Sequence, residues 1–163
     1  MTVAIVGVGL IGGSLAIALK EKGIAQTIIG VDNSDTHLQK ALALGLIDES
    51  MSLESAVHSA DLTILAMPVD AMETLLPQVL NEVENGVVMD VGSIKEGILS
   101  VIKNHPKRGR FVATHPMWGT EYSGPEAAVS GAFMGKAVVI CDKESSDADA
   151  VMMVENMYRA LGM

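Results

Sequence analysis

Short apolar runs alternate along this chain with segments in which apolar residues recur at helical spacing. An apolar run without alternation is typical of a strand buried on both faces, and helices between such strands favour parallel pairing. The pattern therefore predicts an α/β fold with a doubly wound, mostly parallel sheet. Predicted strands cover residues 3–6, 27–31, 62–66, 87–90, 111–114 and 137–140. Predicted helices begin near residues 10, 34, 70, 94 and 146, and a further predicted helix ends near His58.

Glycines mark several boundaries between the predicted elements. Gly23 and Gly45 follow the first two predicted helices, as C-terminal caps often do. Residues 115–135 are rich in glycine, proline and serine and predict an irregular segment, and long segments of this kind often carry function. We interpret residues 1–163 as one domain. Gly162 would cap the last helix and lead into a further strand, so we expect a truncated polypeptide.

Residues 7–12, GVGLIG, match the pattern G-x-G-x-x-G between a predicted strand and a predicted helix. In that context the pattern indicates a Rossmann dinucleotide site. Gly7 supplies a tight turn, Gly9 lets the backbone approach a pyrophosphate, and Gly12 lets the helix pack closely on the strand. The helix N-terminus adds N–H groups and a partial positive charge. The predicted cofactor contacts here are Gly7, Gly9, Leu10, Ile11 and Gly12.

Asp32 ends the second predicted strand and lies 20 positions after Gly12, where a Rossmann site carries an acidic residue. Its carboxylate would accept hydrogen bonds from the adenosine ribose and would repel a 2′-phosphate. The following Asn33 and Ser34 offer no arginine to receive such a phosphate. The sequence therefore predicts NAD rather than NADP. The alternative is a set of turn glycines with an unrelated surface aspartate.

The ligand of an open α/β sheet lies beyond the carboxyl ends of its strands. Ala66, Met67 and Pro68 end or follow one predicted strand, and residues 91–93 follow the next. We therefore predict that both segments line one crevice and that Ala66, Met67 and Pro68 contact the cofactor. Pro68 and Gly92 are equally typical of ordinary turns.

His115 is the candidate catalytic base. It directly follows the predicted strand at residues 111–114, at the edge of the sheet where the cofactor should lie. An imidazole accepts protons at neutral pH, and a general base contributes about 10²- to 10⁴-fold in rate. A capping or turn histidine is the alternative. The other histidines lie in predicted helices or an exposed turn and are interpreted as solvated surface residues: His37, His58 and His105.

Three blocks of the sequence resemble the prephenate/arogenate dehydrogenase family of tyrosine biosynthesis. They are GVGLIGGS at residues 7–14, DVGSIK at residues 90–95 and HPMWGTEYSG at residues 115–124, in the family's order. The resemblance implies NAD-dependent oxidative decarboxylation of prephenate, or of its amino counterpart arogenate. It also implies that the family's catalytic histidine corresponds to His115 and its nearby hydrogen-bonding serine to Ser93.

The resemblance further implies a largely helical C-terminal domain that forms a homodimer and completes substrate binding, and that domain is absent from this chain. Prephenate carries two carboxylates, which favour arginine partners. Arg108 and Arg110 precede the strand at residues 111–114 and belong at the edge opposite the cofactor, while Arg159 lies in the last predicted helix. We therefore expect the isolated chain to bind NAD and to turn over poorly.

Several side chains of the family's blocks have two interpretations each. Trp118 and Tyr122 either line a substrate pocket or partner surface, or pack within their own loop. Lys95 and Lys136 either help to hold an anionic ligand or are solvated. Glu121 matches the family's acidic position, as a structural residue or a substrate contact.

The composition disfavours several classes of binding partner and metal site. A formal net charge of −9 disfavours nucleic-acid and anionic-membrane partners, and no apolar run approaches the roughly 20 residues that cross a bilayer. Cys141 is the only cysteine, which fits a reducing cytoplasm and excludes an internal disulfide or Cys-rich zinc site; we predict no metal. Two alternatives stay open, namely a dehydrogenase of another small acid and a non-catalytic NAD(H)-sensing module.

Overall fold

The computed structural model describes residues 1–163 as seven strands and six α-helices, which alternate as far as β6; β7 follows β6 without an intervening α-helix. The strands are β1 (Thr2–Val6), β2 (Thr27–Val31), β3 (Glu49–Ser50), β4 (Leu62–Leu65), β5 (Val87–Asp90), β6 (Phe111–Pro116) and β7 (Val138–Cys141). The helices are α1 (Leu10–Glu21), α2 (Asp35–Ala43), α3 (Leu53–Ser59), α4 (Val69–Glu82), α5 (Glu96–Ile102) and α6 (Ala148–Ala160).

All seven strands form one sheet in the order β3-β2-β1-β4-β5-β6-β7. The first six are parallel to their neighbours, and β7 runs antiparallel to β6. From β1 the chain builds outward to β3 and then returns to the other side of β1 with β4, so the order reverses between β1 and β4. A reversal of this kind opens a crevice at the carboxyl edge of the sheet, and the predicted doubly wound fold is confirmed.

Apolar side chains bury both faces of the sheet. The alternating residues of β1 divide between the two layers, with Val3 and Ile5 on one face and Val6 on the other. One layer contains α1, α2 and α6, and the other contains α3, α4 and α5. The fully buried contacts include Leu15 and Leu19 of α1, Val154 of α6, Leu76 and Leu80 of α4, and Ile98 and Ile102 of α5.

The structure corrects the predicted elements at the sheet edges. The sequence does not predict β3, because Glu49–Ser50 is a two-residue, exposed and polar strand without an apolar run. The helix predicted from about residue 94 begins at Glu96 instead. β6 also continues two residues beyond its predicted end, because β7 pairs with it through His115 and Pro116. His115 therefore lies within a strand rather than after it.

The long segment between β6 and β7 packs over α1. The Val129 N–H donates a hydrogen bond to Ser14 Oγ at 3.0 Å, and Ser130 Oγ donates to Glu21 Oε1 at 2.7 Å. Near its two ends, the Trp118 and Phe133 rings pack edge to face at a centroid distance of 5.3 Å. The segment therefore helps to fix α1, whose N-terminus follows the glycine turn. None of the six helices combines the length and apolarity that crossing a bilayer requires.

Candidate active site

In the glycine turn after β1, protein atoms crowd Gly7 and Gly12 but leave open space at Gly9. Gly7 has a φ of +96°, and a Cβ on it would lie 2.5 Å from the carbonyl oxygen of Ala66. A Cβ on Gly12 would lie 2.0 Å from the Gly7 carbonyl oxygen. Gly9 has no neighbouring atom within 4 Å of the same position. Protein packing thus explains two of the glycines, and Gly9 leaves room for a ligand to approach the backbone.

The N-terminus of α1 opens directly from this turn. Gly9 is the N-cap residue, no side chain caps the helix, and the first turn contains no acidic residue. The first N–H groups of any α-helix lack partners within it, and here they belong to Leu10, Ile11 and Gly12. Together with the helix dipole, they make this end of α1 suited to a phosphate group.

Asp32 follows β2 and bonds to the glycine turn. Its Oδ2 accepts a hydrogen bond from the Val8 N–H at 3.0 Å, and its Oδ1 accepts one from the Ser34 N–H at 2.9 Å. The side chain is only 9% exposed. His37 Nδ1 lies 3.5 Å from Asp32 Oδ1, and the His37 side chain is 45% exposed.

The segment after β4 borders the turn on its other side. Ala66 donates its N–H to the Val6 carbonyl at 2.7 Å and presents its own carbonyl to Gly7. Pro68 is the N-cap of α4, and its carbonyl accepts bonds from the Ala71 and Met72 N–H groups. The structure therefore brings Ala66 against the glycine turn, with Met67 linking it to a helix start.

A buried carboxylate organises the DVGSIK block. Asp90 Oδ2 accepts a hydrogen bond from the Gly92 N–H at 2.8 Å and another from Lys95 Nζ, and its Oδ1 accepts one from the Thr114 N–H at 3.1 Å. Burial raises the pKa of the Asp90 carboxyl, and the Lys95 ammonium opposes that shift. The interpretation of Lys95 as a solvated residue is wrong, because its side chain is 11% exposed and paired with Asp90.

Ser93 follows β5, and His115 lies near the end of the neighbouring parallel strand β6, at the same edge. Val88 pairs with Phe111 and Met89 with Val112, so both residues lie just past the paired part of β5 and β6. Ser93 is exposed and His115 is half-buried. Neither side chain forms a hydrogen bond within the chain, which leaves both groups available to a ligand in the crevice.

Two of the three arginines lie away from this edge. Arg108 donates hydrogen bonds to the Phe111 carbonyl oxygen at 2.8 Å and to Asp142 at 2.6 Å. Arg110 donates to the carbonyl oxygen of Gly86, just before β5, at 3.1 Å. Both therefore lie at the opposite end of the strands, as predicted. Arg159 is an exposed residue of α6 and pairs with a glutamate of the same helix.

Of the remaining aromatic and charged residues that the sequence suggested for ligand binding, one is packed against the protein and three are exposed to solvent. Trp118 is partly buried against Phe133, which supports loop packing for this side chain. Tyr122 is 68% exposed. Glu121 and Lys136 are also exposed and form no ion pair.

The fold and this edge are those of a dinucleotide-binding α/β domain of the dehydrogenase type. The family model described as "Prephenate dehydrogenase, nucleotide-binding domain" matches residues 15–163. The chain belongs to the prephenate dehydrogenase family and corresponds to its nucleotide-binding domain.

Named relatives share this domain over nearly the whole chain. Prephenate dehydrogenase of Bacillus subtilis is 34% identical over 162 residues, covering 97% of this chain and 44% of that protein. The crystal structure of Aquifex aeolicus prephenate dehydrogenase with hydroxyphenyl propionate and NAD+ superposes with a TM-score of 0.91 at 31% identity, covering 99% of this chain and 57% of that one. Synechocystis arogenate dehydrogenase superposes with a TM-score of 0.85 at 27% identity, covering 100% and 58%. The chain thus spans about half the length of these relatives.

Proposed function

We propose that this chain binds NAD and is the cofactor-binding part of a prephenate dehydrogenase, which converts prephenate to 4-hydroxyphenylpyruvate in tyrosine biosynthesis. The observation that carries the proposal is the hydrogen bond from the Val8 N–H to Asp32 Oδ2. It joins the glycine turn to the carboxylate that we expect to bind the adenosine ribose. Membership of the family and the likeness to an Aquifex aeolicus enzyme crystallised with NAD+ support it.

The residues at this edge fit the parts of NAD. The open side of Gly9 and the uncapped start of α1 suit the pyrophosphate, and Asp32 suits the adenosine ribose hydroxyls. Each Asp32 oxygen accepts one bond from the protein and retains a lone pair for a hydroxyl. In this proposal Ala66, Met67 and Pro68 border the nicotinamide half. A 2′-phosphate next to Asp32 would meet a negative charge, which favours NAD over NADP.

His115 and Ser93 supply the proton chemistry in this proposal. NAD held at this edge would take up the hydride from the ring carbon that carries the 4-hydroxyl group. The His115 imidazole accepts the proton of that hydroxyl, and the Ser93 hydroxyl orients it by hydrogen bonding. As the bond to the ring carboxylate breaks and carbon dioxide leaves, its electron pair completes the aromatic ring. The proton then returns from His115 to the phenolic oxygen, so no net proton is consumed.

Arogenate is the second candidate substrate, because the chain also resembles Synechocystis arogenate dehydrogenase and, at 30% identity, a Zymomonas mobilis cyclohexadienyl dehydrogenase. The two substrates differ in a keto or amino group far from the reacting ring carbon. Arg108 and Arg110 lie at the opposite strand ends, and Arg159 pairs with Glu155 of its own helix, so no arginine is seen directed at the proposed substrate site. A homodimer and a cytoplasmic location stay predictions.

Calorimetric titration of the purified chain with NAD and NADP tests the cofactor assignment. We expect saturable binding of NAD and weaker binding of NADP, and the absence of NAD binding would overturn the proposal. NADH absorbance is then followed with prephenate and with arogenate, for this chain and for the protein encoded by its complete gene. Turnover only by the complete protein is expected. Binding without turnover by the complete protein would instead support an NAD(H)-sensing module.

A further inference from the structure

A buried chain of hydrogen bonds connects α6 to the edge that carries Ser93 and His115. It passes from Tyr158 to Thr114 and then to Asp90, residues that are 2%, 0% and 0% exposed. We propose that Tyr158 and Thr114 are positioning residues, which hold the Ser93 loop and the His115 strand end in one arrangement. The inference rests on the proposed function, in which those two side chains meet the substrate.

The direction of each hydrogen bond follows from the groups present. Thr114 Oγ1 contacts the Asp90 main-chain carbonyl oxygen, which can only accept, so the single Thr114 hydroxyl proton is donated there. Tyr158 Oη lies 2.7 Å from Thr114 Oγ1 and must therefore be the donor of that bond. Burial raises the pKa of the Tyr158 phenol, which keeps this donor protonated. The hydroxyl chain thus has one possible direction, from α6 toward β5.

The chain of bonds continues to the backbone beside each proposed catalytic residue. Asp90 accepts from the Thr114 N–H through Oδ1 and from the Gly92 N–H through Oδ2. Gly92 immediately precedes Ser93, and Thr114 immediately precedes His115. Lys95 Nζ adds two hydrogen bonds to this network, one to Asp90 Oδ2 and one to the Gly92 carbonyl oxygen. Two segments from different strands are therefore fixed to a single carboxylate.

Packing alone does not require these polar groups. Tyr158 belongs to the main apolar cluster, where phenylalanine would fill almost the same volume, and valine has nearly the shape of Thr114. A fully satisfied buried polar network rigidifies its surroundings, whereas an apolar replacement preserves packing without fixing one geometry. The Tyr158 hydroxyl is thus expected to affect the order of the site more than the stability of the fold. Thr114→Val also leaves the buried Tyr158 hydroxyl without its acceptor and should lower the melting temperature as well.

Nuclear magnetic resonance of the labelled 163-residue chain tests this inference through the Ser93 amide and the His115 imidazole. The variants are Tyr158→Phe and Thr114→Val, each of which removes one hydroxyl group, and Thr114→Ser, which retains it. Val154→Ala is the matched control, because it opens the same buried face of α6 without touching the network. His58 and His105 provide reference signals in each spectrum. Melting temperature and NAD affinity are measured for every variant.

We expect one sharp set of signals from Ser93 and His115 in the wild type and in Thr114→Ser. Tyr158→Phe and Thr114→Val should broaden or double both sets, while Val154→Ala lowers the melting temperature and leaves them single. Sharp, single signals in both hydroxyl-deleted variants would overturn the positioning role. These spectra are recorded on the NAD-free chain, so their outcome does not depend on NAD binding. A failure of the wild-type chain to bind NAD would therefore count against the proposed function and not against the positioning role.

Discussion

The Val8 N–H donates a hydrogen bond to Asp32 Oδ2 at 3.0 Å, which makes the glycine turn and the carboxylate after β2 one structural unit. The parallel register explains the contact, because Val6 and Val31 pair directly and each strand ends there. The carboxylate therefore holds the backbone that faces the pyrophosphate and also offers acceptors to the ribose. A change at Asp32 should affect both halves of the adenosine diphosphate site.

Replacing Asp32 by alanine should weaken NAD binding more than NADP binding. We expect NAD affinity to fall by about tenfold or more, equivalent to about 1.4 kcal/mol, because two ribose bonds and the hold on the turn are lost. The loss for NADP should be smaller, because the repulsion of its 2′-phosphate disappears. Titration calorimetry measures both affinities, with Asp35→Ala in the exposed first turn of α2 as the control. Equal losses for NAD and NADP would contradict the assigned role.

Alanine at two glycines of the turn should have separable effects. In Gly12→Ala the new methyl group would lie 2.9 Å from Ile5 Cγ2 as well as against the Gly7 carbonyl, so we expect destabilisation by about 1–3 kcal/mol and loss of NAD binding. Gly9→Ala meets no protein atom and has an ordinary φ of −78°, so its melting temperature should match the wild type. Its NAD affinity should nevertheless fall, and wild-type affinity would show that no ligand approaches there.

His115→Asn, made in the complete enzyme, should lower turnover by about 10²- to 10⁴-fold because the proton acceptor is lost. NAD affinity should persist, since the adenosine half binds elsewhere on the edge. Steady-state NADH formation and NAD titration provide the two measurements. His105→Asn is the matched control, because that ring contacts Asn81 and the Lys107 backbone instead. Unchanged turnover in His115→Asn would exclude it as the base.

The ion pair between Arg110 and Asp149 should give a pH-dependent contribution to stability. The hydrogen bond from Arg110 lowers the pKa of the Asp149 carboxyl below its ordinary 3.8, so the folded state binds this proton less readily than the unfolded state does. The contribution is therefore present above pH 3.8 and is lost as the pH falls through the lowered value.

Urea denaturation of the wild type and Asp149→Asn at a series of pH values measures this contribution. The variant should unfold at lower urea than the wild type at neutral pH, and the two midpoints should converge in acid. Asp35→Asn serves as the control, because Asp35 forms no ion pair. A midpoint difference for Asp149→Asn that stays constant down to the acid limit would contradict the assignment.

Most of the fold could be predicted because the apolar runs of its central strands are recognisable in the sequence. Residues 28–31 and 87–89 are continuous apolar runs, and the structure has strands at the predicted bounds 27–31 and 87–90. The outermost strands were predicted less completely, because the sequence indicates β7 but not its direction and does not indicate β3. β3 is polar and two residues long, and the antiparallel direction of β7 follows from the path of the preceding loop.

The short sequence motifs of the site were more predictable than the side-chain contacts that join its segments. The glycine turn and Asp32 are recognisable because their geometry depends on adjacent residues and a fixed spacing. The pairing of Lys95 with Asp90 depends on how one loop folds back, and the sequence alone left that lysine open. The bond between Thr114 and Tyr158 spans 44 residues, and neither residue type distinguishes it from ordinary core packing.

A crystal structure of this chain soaked with NAD would show where each half of the cofactor binds. We expect adenosine diphosphate density between Gly9 and Asp32, with the nicotinamide ring in contact with the His115 imidazole. An NAD molecule bound away from the glycine turn, or a nicotinamide ring remote from His115, would contradict this expectation.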